Sequence, residues 1–265
     1  MLDGYFKLSE NGTTVRTEVV AGLTTFLTLA YIIFVNPAIL SGAGMDKGAV
    51  FVATCLAAAV GTLIMGLYAN YPIALAPGMG LNAYFAYSVV GGMGYSWQVA
   101  LGAVFISGIL FLILSLLPIR EWIINAIPRT LKVAISAGIG LFLAIIAFKN
   151  AGWVVGHPAT LVTLGDITRP EPLLAAAGFM MIVALDARRI PGAIIMSILS
   201  VTVIGIVFGI SGSSGIFSMP PSLAPTLLAM DIAGAFNVGL VVIVFSFLFV
   251  DLFDTAGTLV GVGQQ

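Results

Sequence analysis

The chain has 265 residues, of which 60% are hydrophobic and 8% are charged, and its formal net charge is −1. Soluble domains carry about 25% charged residues, so this composition excludes a soluble domain and indicates an integral membrane protein. The charge balance gives no indication of a nucleic-acid partner, which would require a basic patch.

Long uncharged runs predict an all-α polytopic membrane protein that contacts the lipid bilayer. The block 48–119 contains no charged residue in 72 positions, so at about 20 residues per crossing it passes the bilayer about three times. Strands of a membrane barrel would instead alternate polar and apolar residues.

The N-terminal half is predicted to hold four spans. Residues 1–18 are polar and form a cytoplasmic N-terminus, and residues 19–118 form spans one to four. Asn36-Pro37 marks either a kink in the first span or its exit from the membrane. The first, second and fourth spans are predicted at 19–45, about 49–69 and about 98–117.

The third span is predicted to be broken. Two prolines and two glycines interrupt the apolar sequence from Tyr71 to Gly80. A continuous helix would lose hydrogen bonds and clash at Pro77, so the segment should be extended first and helical only after about Gly78. Backbone that is not helical at membrane depth is tolerated only where it lines a cavity or is buried in protein.

The second part of the chain should add an interfacial helix, three spans and the start of a further one. Charged residues around Trp122 and Pro128 suit an amphipathic interfacial helix at 119–132. Spans five to seven occupy 133–210, at 133–148, 172–185 and 194–210, around a solvated loop at 150–171. An external connection with room for a short surface helix follows at 211–234, and the eighth span is predicted at 235–265.

The basic residues predict the orientation. With the N-terminus inside, seven lysines and arginines are cytoplasmic and three are external, which is the positive-inside bias. We therefore expect a multi-pass protein of the cytoplasmic membrane whose eighth span starts outside. The internal residues are Lys7, Arg16, Arg120, Arg129, Lys132, Arg188 and Arg189, and the external ones are Lys47, Lys149 and Arg169.

Two aspartates follow a long uncharged run. Residues 232–250 contain no charged residue, and Asp251 and Asp254 come directly after them. These two acids lie about 60° apart on a helix, on the same face as Thr255 and Thr258. Acids inside a membrane are by default functional, so this stripe predicts a helix that lines a site. The alternative is that the helix ends here and both carboxylates reach headgroup water.

Several motifs match other kinds of functional site but lack the structural surroundings that those sites require. Gly78-x-Gly80-x-x-Ala83 matches a dinucleotide fingerprint, but that motif works only after a strand in a soluble βαβ unit. An aspartic protease needs two facing carboxylates, whereas the two aspartates here lie side by side. The single Cys55 and the single His157 predict neither a disulfide nor a metal site. No cofactor is expected.

The polar groups of the broken span and of the acidic helix predict the kind of substrate. In inverted-repeat transporters, free N–H groups of a broken helix and polar groups of a facing helix form the site near the midplane. We expect the Gly78 and Gly80 backbone and the Asn82 amide to bind the substrate with Asp251. No lysine or arginine lies within a predicted span, which argues against a small anion. A flat neutral molecule with N–H donors and ring acceptors fits better.

The role of Asp254 is predicted to be proton coupling. Two like charges three residues apart are unfavourable in surroundings poor in water, so one carboxylate of the pair is expected to take up a proton. Because the two groups interact, they titrate as a pair.

Three runs, 74–87, 137–142 and 250–258, resemble the hypoxanthine/guanine and adenine permeases, the AzgA-like branch of the nucleobase:cation symporter-2 (xanthine/uracil permease) family. The resemblance covers the whole chain. It implies fourteen spans in two inverted repeats of seven, divided into core and gate domains, with spans one to four here in the core domain and five to seven in the gate domain. It also implies import of purines with protons, commonly by a homodimer.

The family's binding residues map onto three positions. Asn82 matches its third-span asparagine, Asp251 its substrate-binding acid of the eighth span, and Asp254 the companion acid. The family's second binding acid, a tenth-span glutamate, has no counterpart in these 265 residues. One repeat of seven spans and an eighth span do not complete two repeats of seven spans each. We therefore expect these residues to be the N-terminal part of a longer permease.

The sequence therefore predicts a purine permease, not an enzyme. The leading alternative is an anion transporter of the same architecture, for sulfate or bicarbonate, which would favour a basic group or bare helix dipoles over two acids. A membrane enzyme or structural subunit is the third class, but the sequence has no nucleophile, metal cluster or facing pair of carboxylates to support it.

Overall fold

The computed structural model describes residues 2–117, 129–190, 192–212, 219–236 and 238–263. The chain divides into two compact units, each assembled from three separate segments. The first unit comprises 1–35, 53–77 and 146–220, and the second comprises 36–52, 78–145 and 221–265.

Helices form most of the described chain. The first six are α1 (Leu2–Phe6), α2 (Val15–Leu29), α3 (Ile32–Ser41), α4 (Lys47–Leu67), α5 (Met79–Ala83) and α6 (Trp97–Leu116), and a π-helix (Tyr84–Gly92) follows α5. The next are α7 (Arg129–Asn150), α8 (Pro170–Ala187), α9 (Ala193–Val207), a short 3₁₀ turn (Gly234–Phe236) and α10 (Val238–Gly263).

Four helical stretches in the described residues are long and apolar enough to cross a membrane, namely Val15–Ser41, Lys47–Leu67, Trp97–Leu116 and Pro170–Ala187. Their large apolar side chains are well exposed, as at Leu63 and Leu112, which suits lipid-facing surfaces. A mostly helical polytopic architecture is therefore confirmed. The count of seven spans plus one, and the inverted repeat, stay predictions.

Small residues allow close helix packing in the first unit. α8 and α9 pack against each other, and a Cβ at Gly178 would lie 2.8 Å from Val201 Cγ2. The buried Ser197 hydroxyl donates to the Gly178 carbonyl at 2.7 Å. Close backbone approach at small residues, with hydroxyls bonding across helices, is the packing expected within a bilayer.

The core of the second unit lies where α6 meets α10 and the 3₁₀ turn. α10 buries one apolar stripe, formed by Ile243, Val244, Phe247, Leu248 and Leu252, and this spacing is that of one helix face. On α6 the buried residues are small, namely Ala100, Gly102, Ala103 and Ser107. The Asp231 N–H donates to the Gln98 carbonyl at 2.9 Å, so the chain preceding α10 is held against α6.

The first long helix begins before the first residue of the predicted span. α2 starts at Val15 because Thr14 caps it, with the Thr17 N–H donating to the Thr14 hydroxyl at 3.2 Å. Residues 15–18, assigned above to the N-terminal tail, therefore belong to the helix. The helix does not end at Asn36-Pro37, since α3 contains Pro37 and continues to Ser41. Whether the chain leaves the membrane at this point stays a prediction.

The interfacial helix predicted at 119–132 is only partly testable. Residues 118–128 lie outside the described residues. Residues 129–132 form the first turn of α7, so the fifth helix begins before the predicted position 133. Helix α9 has 15 residues, fewer than the about 20 of a complete crossing.

The loop predicted at 150–171 contains a β-hairpin, so the chain is mostly helical and not all-α. β1 (Val154–His157) pairs antiparallel with β2 (Leu161–Leu164), with Val154 opposite Leu164. β-branched residues on both strands favour extended backbone. His157 accepts through Nδ1 from the Ala159 N–H at 3.2 Å and from the Thr160 N–H at 3.3 Å, which stabilises the turn.

The predicted connection at 211–234 is partly described. Residues 213–218 lie outside the described residues, and 219–233 contain turns but no helix. The 3₁₀ turn at Gly234–Phe236 precedes α10. The many prolines of this segment explain why a regular helix does not form there.

Candidate functional site

The third span is broken where the sequence predicted it. Residues 70–78 carry no helix, and Gly78 has extended backbone angles, φ −71° and ψ 119°, as the N-cap of α5. Pro77 explains the boundary, because a proline forces the residue before it out of the helical region and cannot donate a backbone hydrogen bond. The half-helix comprises α5 and the π-helix that continues it to Gly92.

One side chain forms hydrogen bonds with the extended backbone that precedes the half-helix. The Thr62 hydroxyl, on α4, donates to the Leu75 carbonyl at 3.1 Å and accepts from the Leu75 N–H at 3.0 Å. Both residues belong to the first unit. Extended backbone within a bilayer needs such internal partners, because lipid supplies none.

A cavity of about 250 Å³ lies within the second unit, between the half-helix, α6, α10 and the end of α3. Three polar side chains line it, and each comes from a different helix: Asn82, Ser107 and Asp251. The apolar lining includes the rings of Phe85 and Phe247. The Phe247 ring packs edge-on against Tyr84, with centroids 5.2 Å apart, so its orientation is held from outside the cavity.

The two aspartates of α10 occupy different positions. Asp251 is half-buried and lines the cavity, and the Thr255 hydroxyl donates to its Oδ1 at 3.4 Å. Asp254 is also partly buried, but its Oδ2 lies against Gly78, where a Cβ would be 3.0 Å away. The Thr258 side chain lies outside the described part of the chain.

The alternative that the helix ends at these acids is wrong. α10 continues to Gly263, more than two turns beyond Asp254, and neither carboxylate is fully exposed. The packing of α10 against α6 and α5 keeps this part of the helix within the second unit.

Gly78 and Gly80, the two glycines predicted to bind substrate through their backbone, occupy different positions relative to the cavity. Gly78 lines the cavity, whereas Gly80 lies inside α5, where its carbonyl accepts from the Tyr84 N–H. The structure therefore brings Asn82, Asp251 and Gly78 together and does not place Gly80 in the lining. The substrate contacts of all four residues stay predictions.

Asn36 is a neighbour of the site that sequence reasoning missed. Asn82 Nδ2 donates to Asn36 Oδ1 at 2.5 Å, and Asn36 is only 3% exposed. The sequence analysis treated Asn36 only as part of a kink or an exit. Its signal was an amide inside an apolar run, since a buried polar group in a membrane helix needs a partner.

Among the described residues, no three His, Cys, Asp or Glu side chains come close enough to hold a metal ion. The described lining of the cavity also contains no lysine or arginine. The site therefore combines one carboxylate, one amide and one hydroxyl with aromatic walls.

The chain is similar to known proteins over nearly its whole length. The xanthine/uracil permease pattern, described as "Permease family", matches residues 16–265. A putative permease of Methanocaldococcus jannaschii is 57% identical over 265 residues, which are 100% of this chain and 61% of that protein.

Relatives with named substrates are similar over the same region. The adenine permease AdeP of Escherichia coli is 52% identical over 100% of this chain and 60% of its own length. The guanine/hypoxanthine permease PbuG of Bacillus subtilis is 47% identical over 98% of this chain and 62% of its own length. The chain thus spans about three fifths of these relatives, and it belongs to the xanthine/uracil permease family.

Proposed function

We propose that the whole protein carrying this chain is a permease for a purine nucleobase, namely hypoxanthine, guanine or adenine. The observation that carries the proposal is that Asp251 and Asn82, from helices far apart in sequence, line one cavity. The names of the relatives support it, since they include adenine and guanine/hypoxanthine permeases.

The chemistry of the cavity suits a flat heterocycle. The Asp251 carboxylate accepts hydrogen bonds from ring N–H groups, and the Asn82 amide both donates and accepts. The Phe85 and Phe247 rings offer apolar faces that suit a planar ring. A neutral purine presents N–H donors and ring acceptors along its edge, so it matches each of these groups.

Proton coupling is the second part of the proposal. Asp254 lies less than one turn from Asp251 on α10 and borders Gly78 at the start of the half-helix. A proton on Asp254 would remove the repulsion between the two carboxylates. We assign Asp251 to the purine and Asp254 to the proton, with import into the cytoplasm.

The membrane arrangement is proposed as predicted from the sequence: a cytoplasmic N-terminus, seven spans before an eighth that enters from outside, and two inverted repeats divided into core and gate domains. A homodimer completes the proposal. The positive-inside bias supports the orientation, and the broken third span supports the repeat architecture.

No observation favours the anion alternative. A sulfate or bicarbonate site would need a cation or bare helix dipoles, but the described lining carries a carboxylate and no basic side chain. The relatives reported above are also not named for anions.

Uptake of labelled purines tests the proposed function. The whole protein is expressed in a bacterial strain that lacks purine uptake, and labelled hypoxanthine and adenine are offered separately. We expect uptake of at least one purine, inhibited by unlabelled purines and not by sulfate or bicarbonate. Uptake equal to that of the empty strain, from protein confirmed to be in the membrane, would contradict the proposal.

A further inference from the structure

We infer that Asn36 is a positioning residue that fixes the orientation of the Asn82 amide, and thereby sets which exocyclic group of a purine the cavity prefers. The inference rests on the proposed function for its substrate, but its geometry is independent of it. Both asparagines belong to the second unit, and Asn36 itself is not among the lining residues of the cavity.

The hydrogen bond between the two amides distinguishes the two ends of Asn82. A side-chain amide donates from its nitrogen and accepts at its oxygen, and rotation by 180° exchanges them. Asn82 Nδ2 donates to Asn36 Oδ1 at 2.5 Å. If Asn82 alone rotated, its oxygen would lie against the Asn36 oxygen, and two acceptors cannot bond to each other. The reverse pattern would require both amides to rotate together.

Burial makes this constraint effective. Asn36 is 3% exposed and follows the apolar first part of α3, beside Pro37, which is fully buried. Water therefore has little access to replace a lost partner of Asn36. Loss of a buried hydrogen bond is costly, so Asn36 opposes rotation of Asn82 on its own.

The consequence for the cavity is a fixed pattern of donors and acceptors. With one Nδ2 hydrogen committed to Asn36, Asn82 keeps its carbonyl oxygen and one N–H in a fixed arrangement beside the lining of the cavity. A 6-oxo group on a purine accepts hydrogen bonds, and a 6-amino group donates them. An Asn82 amide held in one orientation discriminates between these groups, whereas one that rotates can match either.

Selectivity measurements test this consequence. In the whole protein, inhibition constants for hypoxanthine and adenine are compared between the wild type and Asn36→Ala. We expect the ratio of the two inhibition constants to move toward one by about tenfold, because one matched hydrogen bond to the preferred purine is lost. Asn36→Asp keeps an acceptor at the same place and should retain the wild-type ratio. A ratio unchanged in Asn36→Ala would overturn the inference.

A double-mutant cycle shows whether Asn36 acts through Asn82. If it does, Asn36→Ala should change the ratio by less than about twofold in an Asn82→Ala background. Full additivity of the two substitutions would overturn the inference. Asn36→Leu, which is close in size and makes no hydrogen bond, replaces Asn36→Ala if that variant does not accumulate in the membrane.

The matched control is Ser197→Ala in the first unit. Ser197 is 1% exposed and donates to the Gly178 carbonyl, so its removal costs a buried hydrogen bond of similar kind. We expect reduced thermal stability in this variant and an unchanged selectivity ratio. A change in the ratio equal to that of Asn36→Ala would reduce the Asn36 effect to general destabilisation and overturn the inference.

A readout without substrate separates this inference from the proposed function. In protein labelled with ¹⁵N-asparagine, the side-chain amide signals of Asn82 are identified by their loss in Asn82→Asp. Asn36→Ala should shift one of the two proton signals and speed its exchange with solvent, and Asn36→Asp should preserve both. Signals that do not change in Asn36→Ala overturn the inference even if purines bind, and the expected change supports it even if they do not.

Discussion

The Asp254 carboxylate lies directly against the backbone of Gly78, so that a Cβ on Gly78 would be 3.0 Å from its Oδ2. This distance is shorter than an ordinary contact between a methyl group and an oxygen. Gly78 precedes the first residue of α5, so the absence of a side chain there lets an acid of α10 approach the start of the half-helix.

Gly78→Ala should therefore impair transport more than folding. The added methyl group would displace the Asp254 carboxylate by a few tenths of an ångström, and we expect a lower maximal uptake rate with near-normal protein abundance. Gly22→Ala is the control, since Gly22 lies in α2 with nothing within 4 Å of the added methyl group. Equal uptake by both variants would show that the approach of Asp254 to Gly78 is unimportant.

Asp251→Asn should weaken purine binding about tenfold or more. Hydrogen bonds to a charged group contribute roughly 1.5–3 kcal/mol each, and the amide lacks the charge and offers one acceptor oxygen instead of two. Equilibrium binding of labelled purine to the purified whole protein measures the change. Asp186→Asn, at an exposed position near the end of α8, should bind as the wild type does. Unchanged binding in Asp251→Asn would remove this residue from the site.

Asp254→Asn should separate binding from energy coupling. The variant keeps the size of the side chain but cannot take up and release a proton, so we expect purine binding close to that of the wild type and loss of concentrative uptake. A protonophore should abolish concentrative uptake in the wild type and change little in the variant. Accumulation by the wild type that resists the protonophore at every pH would argue for another energy source.

Thr62→Val should destabilise the extended segment. Valine has nearly the shape of threonine but leaves both the N–H and the carbonyl of Leu75 without the partner that Thr62 provides. The expected cost is about 1–3 kcal/mol for each group that stays unsatisfied. Thermal unfolding in detergent would report it as a lower midpoint. Thr62→Ser retains the hydroxyl and should remain close to the wild type, so equal midpoints for both variants would contradict this role.

The proposed orientation predicts which residues are accessible from outside. In a Cys55→Ala background, Thr160→Cys lies at the tip of the hairpin and Arg188→Cys follows the end of α8, and both positions are exposed. An impermeant thiol reagent should label position 160 in intact cells and position 188 only after lysis. Labelling of position 188 in intact cells would reverse the assignment.

Local features of the fold were accessible from the sequence because local chemistry determines them. Pro77 lacks a backbone N–H and disfavours helical angles at the residue before it wherever the segment lies, so the start of the half-helix after Gly78 was predicted and confirmed. The lengths of apolar runs likewise located the long helices, and the spacing of Asp251 and Asp254 put both acids on one face of a helix. The errors at Val15 and Arg129 concern helix ends, where capping by single residues decides the boundary.

Tertiary structure decided which polar groups meet. Asn36 and Asn82 are 46 positions apart, and although an amide in an apolar run indicates that Asn36 needs a partner, nothing in the sequence identifies Asn82 as that partner. The two bonds of Thr62 with Leu75 and the contact of Asp254 with Gly78 likewise depend on how separate segments pack. Apolar periodicity predicts which face of a helix is buried but not its neighbour, because apolar contacts are non-directional, and only the folded chain selects the partner of each buried polar group.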